Sequence, residues 1–302
     1  MGVEGDRAMR IFLAGGSGFI GGHLRKELLS RGHQIRLLVH KSDTRPEAGV
    51  EFVEGDVTWP ESFAGQVAGC DAVINLIGII REFPGRGMTF AGLHVEATHA
   101  MLEAARQAGV RRYLQMSALG TRPGAESNYH KSKFQAEELV RASGLDHTIF
   151  RPSIVFGPRD AFINLLAGYI RNYPIVPVIG DGMYRLQPVA ADDVARCFAL
   201  ALEMPETIGQ TYELCGPDRL TYNEMLDTIG RVLGKPHVAK LPNPLGIMKL
   251  VVPLLQRFPF FPITMDQIAM LTEENICDGR WRETFHFEPE YFLPGISKYL
   301  RP

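Results

Sequence analysis

The chain has 302 residues, of which 45% are hydrophobic and 22% charged, with a formal net charge of -2. These values are typical of a soluble globular protein and leave no global positive field, so a nucleic-acid-binding function is not expected. At this length we expect one α/β unit followed by a smaller C-terminal lobe.

Short apolar runs alternate with longer amphipathic stretches through the first half of the chain. The apolar runs predict strands, because continuous apolar character is typical of a sheet covered on both faces. The predicted strands are Arg10–Ala14, Gln34–Val39, Val50–Val53, Ala72–Ile77, Tyr113–Met116 and Thr148–Phe150, and the predicted helices are Ile20–Ser30, Pro60–Val67, Phe90–Gln107 and Ser127–Arg141. This alternation predicts an α/β fold with a doubly wound parallel sheet of Rossmann type, over residues 8–155.

The regular alternation stops after Pro152, where proline and glycine become frequent. Helical stretches resume near Asp192–Glu203 and Thr221–Leu233. We therefore predict that residues 156–302 form a smaller mixed lobe, interleaved with the sheet and folded over the carboxyl ends of its strands.

Four cysteines, Cys70, Cys197, Cys215 and Cys277, lie far apart and form no C-x-x-C pair. Their spacing predicts neither a disulfide framework nor a metal site, and it favours a reducing, cytoplasmic compartment. The N-terminal residues carry no apolar core of a secretory signal.

A dense apolar segment runs from Leu245 to Ile263, but Lys249, Gln256, Arg257 and three prolines interrupt it. It is therefore not expected to span a membrane. One interpretation is a helix packed on the lobe. The other is a contact surface at residues 244–261 for a partner protein or a membrane, which would place the protein at the inner face of the membrane.

The first predicted strand runs directly into a glycine-rich turn, Gly15-Gly16-Ser17-Gly18-Phe19-Ile20-Gly21, and a helix follows. The run contains two frames, Gly16-x-Gly18-x-x-Gly21 and Gly15-x-x-Gly18-x-x-Gly21. Glycines allow a sharp turn and a close approach of a pyrophosphate to backbone amides at the start of the helix. In this strand-turn-helix context the motif predicts a dinucleotide-binding site.

The second predicted strand ends at His40 and Lys41, where NAD-binding chains usually carry an acidic residue for the ribose. Two potentially cationic side chains favour the 2′-phosphate of NADP, with Arg45 as a further candidate and the nearby Asp43 as a counter-indication. We therefore expect NADP(H) to be preferred, with NAD(H) as the alternative.

Tyr129 and Lys133 stand four residues apart on the fourth predicted helix, so their side chains share one face. An ammonium group beside a phenol favours the phenolate, and the pair can move a proton at a carbonyl while hydride moves to or from nicotinamide. Ser117 closes the fifth predicted strand and can bond the same substrate oxygen. These three residues are the candidate catalytic residues.

Together with three further motifs, these features resemble the extended or atypical short-chain dehydrogenases/reductases, the superfamily of NAD-dependent epimerases and dehydratases. The further motifs are Gly55-Asp56-Val57, Asn75-Leu76-Ile77-Gly78 and Arg151-Pro152-x-x-Val155-Phe156-Gly157-Pro158. Within the superfamily the chain is most similar to the branch of the NADPH-holding accessory subunit of respiratory complex I and its bacterial relatives. That similarity lies in Met116–Gly120, in Arg185-x-Gln187-Pro188-Val189 with Asp193, and in Pro262-Ile263-Thr264-x-Asp266-Gln267.

The resemblance implies roles for individual residues. Asp56 and Val57 would hold the adenine, Gly78 would line the cofactor groove, Lys133 would bond the nicotinamide ribose, and Pro152 would border the nicotinamide. Arg185 and Gln187 would face the substrate. The other residues assigned to the cofactor site are Ser17, Phe19 and Ile20 in the glycine turn, Leu76 and Ile77 after the fourth strand, and Ile154 after the sixth.

Two departures from the superfamily pattern leave two functions open. Ser117-Ala118-Leu119 replaces a Ser/Thr-rich run, and His94 stands where many relatives have asparagine. One hypothesis is an NADP-dependent oxidoreductase or a nucleotide-sugar epimerase/dehydratase-like enzyme that uses Tyr129 and Lys133. The alternative is a non-catalytic protein that holds NADPH and acts as a subunit or assembly factor of a respiratory or quinone-synthesis complex.

Overall fold

The computed structural model describes residues 8–40, 46–256, 258 and 263–301. Its strands are β1 (Arg10–Ala14), β2 (Gln34–Val39), β3 (Val50–Glu54), β4 (Ala72–Asn75), β5 (Arg112–Met116), β6 (Asp146–Pro152), β7 (Val155–Phe156), β8 (Val176–Ile179), β9 (Arg185–Leu186), β10 (Val189–Ala190), β11 (Gln210–Leu214), β12 (Leu220–Thr221) and β13 (Lys240–Asn243). Its α-helices are α1 (Phe19–Ser30), α2 (Ala97–Gln107), α3 (Asn128–Ala142), α4 (Phe162–Asn172), α5 (Ala191–Glu203), α6 (Tyr222–Val232), α7 (Leu245–Leu255), α8 (Met265–Thr272), α9 (Trp281–Phe285) and α10 (Phe292–Ser297).

Seven parallel strands form the central sheet in the order β11-β6-β5-β4-β1-β2-β3. All six strands predicted from the sequence belong to it, so the predicted fold class is confirmed. The chain runs outward from β1 to β3 and then returns to β4 on the other side of β1. Ligands of such sheets bind at the carboxyl ends of the strands beside this reversal, which here is the space above β1 and β4.

Helices cover both faces of the sheet. On one face α1 and α5 pack on the strands through buried residues such as Leu24, Leu28 and Phe198. On the other face α2 and α3 do so through residues such as Met101 and Val140. Because both faces are buried, the strands are apolar throughout, and their positions could therefore be predicted from the sequence.

The second half of the chain builds its own core and also completes the sheet. Helices α4, α6 and α10 pack together with β8 around buried residues that include Ile163, Met225 and Ile296. Strand β11 and helix α5 belong to the same half of the chain but lie in the sheet layer. The two halves are interleaved, and a division at residue 155 stays a prediction.

Two of the predicted helices have a different form. Residues 60–67 form two 3-10 turns, Pro60–Ser62 and Ala64–Val67, rather than one α-helix. Here the Ser62 hydroxyl donates to the carbonyl oxygen of Trp59 at 2.6 Å and accepts the Asp56 N–H at 2.8 Å, which diverts the backbone from a regular helix. The helix predicted from Phe90 begins instead with a π-helical turn, Ala91–Glu96, before α2.

Cys215 and Cys277 form a disulfide, with their Cα atoms 6.1 Å apart. The expectation that the cysteines form no disulfide was therefore wrong. The two residues are 62 positions apart, and they meet because the chain at Asn275 runs beside β9, where the Asn275 N–H donates to the Arg185 carbonyl at 2.9 Å. A reducing compartment was inferred because the cysteine spacing predicted no disulfide framework, and this disulfide removes that support.

Over the residues that the structure describes, none of the helices combines the length and the apolar character needed to cross a membrane.

Candidate cofactor and active site

The turn between β1 and α1 has backbone positions that require glycine. Gly15 has a φ of +78°, and a Cβ atom there would lie 2.9 Å from the carbonyl carbon of Leu76. A Cβ atom at Gly21 would lie 2.4 Å from the Cα atom of Gly16, so the helix can approach the strand this closely only with glycine at that position. Both frames of the glycine run therefore contain positions that the backbone requires.

Gly18 is the N-cap residue of α1 and leaves room beside the first helical turn. A Cβ atom there would meet, among the described residues, only the Gly15 carbonyl oxygen, at 3.3 Å. No described side chain caps this helix, and its first turn carries no acidic residue. Open N–H groups and the positive end of the helix dipole bind anions, so a pyrophosphate fits here, beside Ser17, Phe19 and Ile20.

His40 and Asp56 meet at the carboxyl ends of β2 and β3. The His40 Nδ1 atom lies 3.5 Å from Asp56 Oδ2, and the His40 side chain is 73% exposed. The Asp56 carboxylate accepts hydrogen bonds from the Thr58 hydroxyl at 2.7 Å and the Thr58 N–H at 2.8 Å, and these bonds lower the pKa of Asp56. Asp56 is thus a fixed carboxylate, with Val57 beside it, at the end of the groove assigned to adenine. Lys41 and Arg45 lie outside the described residues.

Helix α3 is anchored at its N-terminus and places Tyr129 and Lys133 on its buried side. Ser127 caps the helix with its side chain, and Asp266 from α8 accepts the Asn128 N–H at 2.7 Å. Tyr129 is 9% exposed and Lys133 is 3% exposed. The predicted pairing of these two side chains on one helix face agrees with their common burial.

Lys133 reaches the ends of two neighbouring strands. Its Nζ atom donates to the carbonyl oxygens of Ile77, after β4, and Met116, at the end of β5, each at 3.3 Å. A Cβ atom at Gly78 would lie 2.8 Å from Nζ, so glycine at this position lets the ammonium group lie directly against the backbone. The ammonium group therefore lies at the carboxyl ends of β4 and β5, and β4 is the strand next to β1.

Burial determines the protonation of both groups. It lowers the pKa of Lys133 to about 8 and raises the pKa of Tyr129 to about 12. The Tyr129 shift is opposite to the direction expected from a neighbouring ammonium group. The reason is that the Lys133 protons are directed at backbone carbonyls while the phenol is enclosed by aromatic rings, including those of Phe90 and His94.

His94 lies directly behind this pair in a chain of hydrogen bonds whose direction is fixed. The Ile79 N–H donates to His94 Nε2 at 3.1 Å, so this nitrogen is the acceptor and Nδ1 carries the proton. Nδ1 then donates to Ser132 Oγ at 2.8 Å, and Ser132 donates to the Tyr129 carbonyl oxygen at 2.8 Å. Burial, with a smaller contribution from the positive charge of Lys133, lowers the pKa of His94 to about 2. His94 is thus a neutral residue that joins the loop after β4 to the helix that carries Tyr129.

Ser117 lies at the end of β5, as predicted, but its hydroxyl group has a partner inside the protein. It donates to the Thr121 hydroxyl at 3.4 Å. The nearby Glu137 is buried, which alone would raise its pKa, but hydrogen bonds from Arg151 and Arg141 lower it. A catalytic role for Ser117 stays a prediction, and it would require the hydroxyl group to turn away from Thr121.

The two residues assigned to the substrate lie in different surroundings. Arg185 is exposed and forms a bidentate pair with Glu274, at 2.7 and 3.0 Å. Gln187 is buried, where its amide donates to the Gly216 carbonyl at 2.7 Å and accepts the Cys277 N–H at 3.1 Å. Substrate contact stays a prediction for Arg185, whereas the Gln187 amide is occupied by the backbone beside the disulfide.

The other predicted cofactor residues lie at the carboxyl ends of their strands. Leu76 donates its N–H to the Ala14 carbonyl at 2.9 Å, which joins the loop after β4 to the end of β1. Pro152 ends β6, and its carbonyl accepts the Leu119 N–H at 2.9 Å. Ile154 is half-buried against the core of the C-terminal lobe.

Three side chains that organise the site were not assigned to it from the sequence. They are His94, Glu137 and Asp266, which respectively fix the loop after β4, the end of β6 through Arg151, and the start of α3. Glu137 had a local signal, because Tyr129, Lys133 and Glu137 follow one another at four-residue spacing. The contacts of His94 and Asp266 come from residues distant in the sequence, so local patterns do not predict them.

Comparison with known proteins gives a consistent picture. A family model described as NAD(P)H-binding matches residues 15–161. Subunit 9 of the mitochondrial NADH dehydrogenase (ubiquinone) 1 alpha subcomplex from Arabidopsis thaliana is 31% identical over 86% of this chain and 67% of its own length. A ceramide reductase from Caulobacter vibrioides is 30% identical over 79% of this chain and 75% of its own length. The chain spans about two thirds of the length of the complex I relatives that it matches.

A UDP-glucose 4-epimerase from Thermotoga maritima has the same fold. The two structures superpose with a TM-score of 0.75 over 96% of each chain, at 20% identity. Its Rossmann-type sheet is the one that the glycine turn and the alternating elements predict. The chain belongs to the NAD(P)H-binding extended short-chain dehydrogenase/reductase superfamily, in the branch that contains the complex I subunit and its relatives.

Proposed function

We propose that this protein is an NADP(H)-dependent oxidoreductase in which Tyr129 is the proton donor and Lys133 anchors the nicotinamide ribose. The proposal rests chiefly on Lys133 Nζ, which lies against Gly78 and bonds the carbonyls after β4 and at the end of β5. The glycine turn packs against the same segment, since a Cβ atom at Gly15 would lie 3.1 Å from the Ile77 nitrogen, and this supports one ligand that contacts both. The bound cofactor would supply the hydride.

The pKa values favour reduction of a carbonyl group. With a pKa of about 12, the Tyr129 phenol is protonated at neutral pH and can donate a proton to a carbonyl oxygen as the alcohol forms. Lys133, with a pKa of about 8, keeps a proton available at neutral pH and can donate hydrogen bonds to ribose hydroxyls. Ser117 is proposed to orient the same carbonyl oxygen. The ceramide reductase relative is consistent with a reductase.

Replacement of Tyr129 tests this proposal. We expect Tyr129→Phe to lower the rate of NADPH-dependent ketone reduction at least ~100-fold, because it removes the general acid. NADPH affinity should change little. The measurements are NADPH absorbance with a panel of long-chain and aromatic ketones, and calorimetry of NADPH binding. Tyr291→Phe, at a side chain 58% exposed, is the control. Equal turnover by wild type and Tyr129→Phe would exclude Tyr129 as the acid.

A preference for NADPH over NADH is the second part of the proposal. His40 stands at the end of β2 with its imidazole exposed, in the position that contacts the 2′ substituent in this fold. We expect NADPH to bind at least ~10-fold more tightly than NADH, and His40→Asp to remove most of this difference by repelling the phosphate. Calorimetry with both nucleotides measures it, and His99→Asp, an exposed histidine on α2, is the control. Equal affinities in the wild type would contradict the preference.

A second candidate function is supported by the complex I relatives and by the exposed apolar helix α7. In it, the protein holds NADPH without turnover and acts as a subunit or assembly factor of a respiratory or quinone-synthesis complex. Tyr129→Phe would then leave the cellular function intact, whereas loss of cofactor binding would abolish it. The reductase proposal expects both changes to abolish it.

A further inference from the structure

The exposed apolar side chains around helix α7 form one continuous surface. Ile247, Leu250 and Leu254 are 59%, 75% and 60% exposed, and Val251 and Phe258 add to the same face. The spacing of the first four, i, i+3, i+4 and i+7, places them along one side of the helix, and Phe258 follows three residues after the helix ends. We call these five residues the α7 face.

The opposite side of α7 is also apolar. Leu245, Met248 and Val252 pack against Ile268 of α8 and against Ile179. An isolated surface helix normally turns a polar side to water, and this one does not. The α7 face is therefore expected to be covered by an apolar environment.

The chain around the α7 face is basic. Residues 228–265 contain five lysines and arginines and no aspartate or glutamate, in a protein with a net charge of -2, and of the five Lys240 is paired with Asp227. Lys249 is exposed on α7 itself. One of the five, Arg257, lies outside the described residues, as do Phe260 and Phe261 of the apolar segment.

A second basic element lies beside the C-terminal end of α7. In the loop after β4, the guanidinium group of Arg81 lies 3.4 Å from the carbonyl oxygens of Gln256 and Phe258. The same loop carries the exposed Arg86 and the side chain of Ile80, which is 54% exposed. Apolar and cationic groups thus adjoin on the same side of the protein.

We propose that the α7 face, with Ile80, docks on the surface of a lipid bilayer that contains anionic lipids. The eleven residues of α7 span ~16 Å, about half of the ~30 Å hydrocarbon core, so the helix has the length to lie in the interface. Hydrocarbon covers the apolar side chains, and Lys249, Arg81 and Arg86 contact headgroup phosphates. The docking is independent of catalysis by Tyr129.

The geometry connects this surface to the candidate active site. Helix α8 packs on α7 and holds the N-terminus of α3. Its Asp266 accepts the N–H of Asn128, the residue before Tyr129. The loop that carries Arg81 follows directly on Ile77 and Gly78. Docking through the α7 face therefore places the N-terminus of α3, which carries Tyr129, and the loop after β4 close to the lipid.

Vesicle sedimentation with the full chain tests the proposal. We expect the wild type to bind vesicles of phosphatidylcholine with phosphatidylglycerol, and to bind vesicles of phosphatidylcholine alone more weakly. At high salt the affinities for the two kinds of vesicle should become equal. The variant Leu250→Gln with Leu254→Gln should bind at least ~10-fold more weakly, because two apolar side chains leave the hydrocarbon. Leu165→Gln with Leu293→Gln, at side chains 46% and 41% exposed on α4 and α10, is the matched control and should bind normally.

Circular dichroism shows whether each variant is folded, and Arg86→Glu with Lys249→Glu separates the electrostatic part. This variant should lose binding to the anionic vesicles and keep the weak binding to phosphatidylcholine. The proposal is overturned if the wild type binds neither vesicle or if the Leu250/Leu254 variant binds as the wild type does. It is also overturned if the wild type forms a dimer that the same variant abolishes while vesicle binding is absent, since a second copy would then cover the α7 face.

Discussion

Gly18→Val is expected to weaken NADPH binding by more than ~100-fold while the fold is kept. The side chain would occupy the space beside the first turn of α1, where the pyrophosphate is proposed to contact the amides. Loss of two or three charge-assisted hydrogen bonds, each worth ~1.5–3 kcal/mol, costs at least ~3 kcal/mol in binding free energy, which corresponds to at least that factor. The backbone accepts the change, because Gly18 has a φ of -73° and a Cβ atom there meets, within the described part of the chain, a single neighbouring atom, at 3.3 Å.

The comparison with neighbouring glycines makes this test specific. At Gly22, one turn further along α1, a Cβ atom would meet only the flexible end of Arg159 at 3.2 Å, among the described residues. Gly22→Val should therefore bind NADPH nearly as the wild type does. Calorimetry measures both affinities, and thermal unfolding confirms that both variants are folded. A folded Gly18→Val protein with wild-type affinity would show that the cofactor does not lie on these amides.

The folded protein is expected to lose about 2–3 kcal/mol of stability through His94 alone between pH 6.5 and pH 4.5. In the unfolded chain this imidazole takes up a proton near pH 6.5, whereas burial lowers its pKa to about 2 in the folded protein. The unfolded state therefore binds more protons as the pH falls, and the loss begins at pH 6.5 and continues toward pH 2. The residue is 1% exposed, so solvent screening reduces this effect little.

His94→Asn removes the titrating group and keeps a side chain that can accept from Ile79 and donate to Ser132. At pH 7 the variant should be less stable than the wild type, because the amide fills the cavity less well. At pH 4.5 this deficit should shrink or reverse by about 2–3 kcal/mol. Urea unfolding at both pH values measures the difference, with His99→Asn at an exposed position of α2 as the control. A difference that is the same at both pH values would show that His94 is protonated without cost in the folded protein.

The sequence predicts the sheet and the cofactor turn because their signals are local. Each strand is buried on both faces and is therefore apolar along its whole length, and the glycines at 15, 16, 18 and 21 lie within one turn. The pairing of Tyr129 and Lys133 could also be predicted because its signal is local, since one helical turn separates the two residues. Together with the other motifs quoted above, these local features carry the resemblance to the superfamily.

Features that depend on contacts between distant residues were not predictable. The His94 network joins residues 79, 94 and 132, and the pairing of Cys215 with Cys277 joins two segments 62 residues apart. The direction of the Tyr129 pKa shift depends on how deeply the phenol is enclosed, which neither spacing nor composition reveals. Gln187 matches a motif in the sequence, yet its amide is occupied by Gly216 and Cys277.

Because β11 belongs to the central sheet, the sheet cannot be completed during synthesis until residues 210–214 have left the ribosome. Strand β6 pairs with β11, and Phe150 of β6 packs on Phe198 of α5 with the ring centres 4.3 Å apart. Until the ribosome has released residue 214, β6 is an edge strand with an uncovered apolar face, which is prone to pair with other chains. The nucleotide-binding half therefore matures only after most of the polypeptide has emerged.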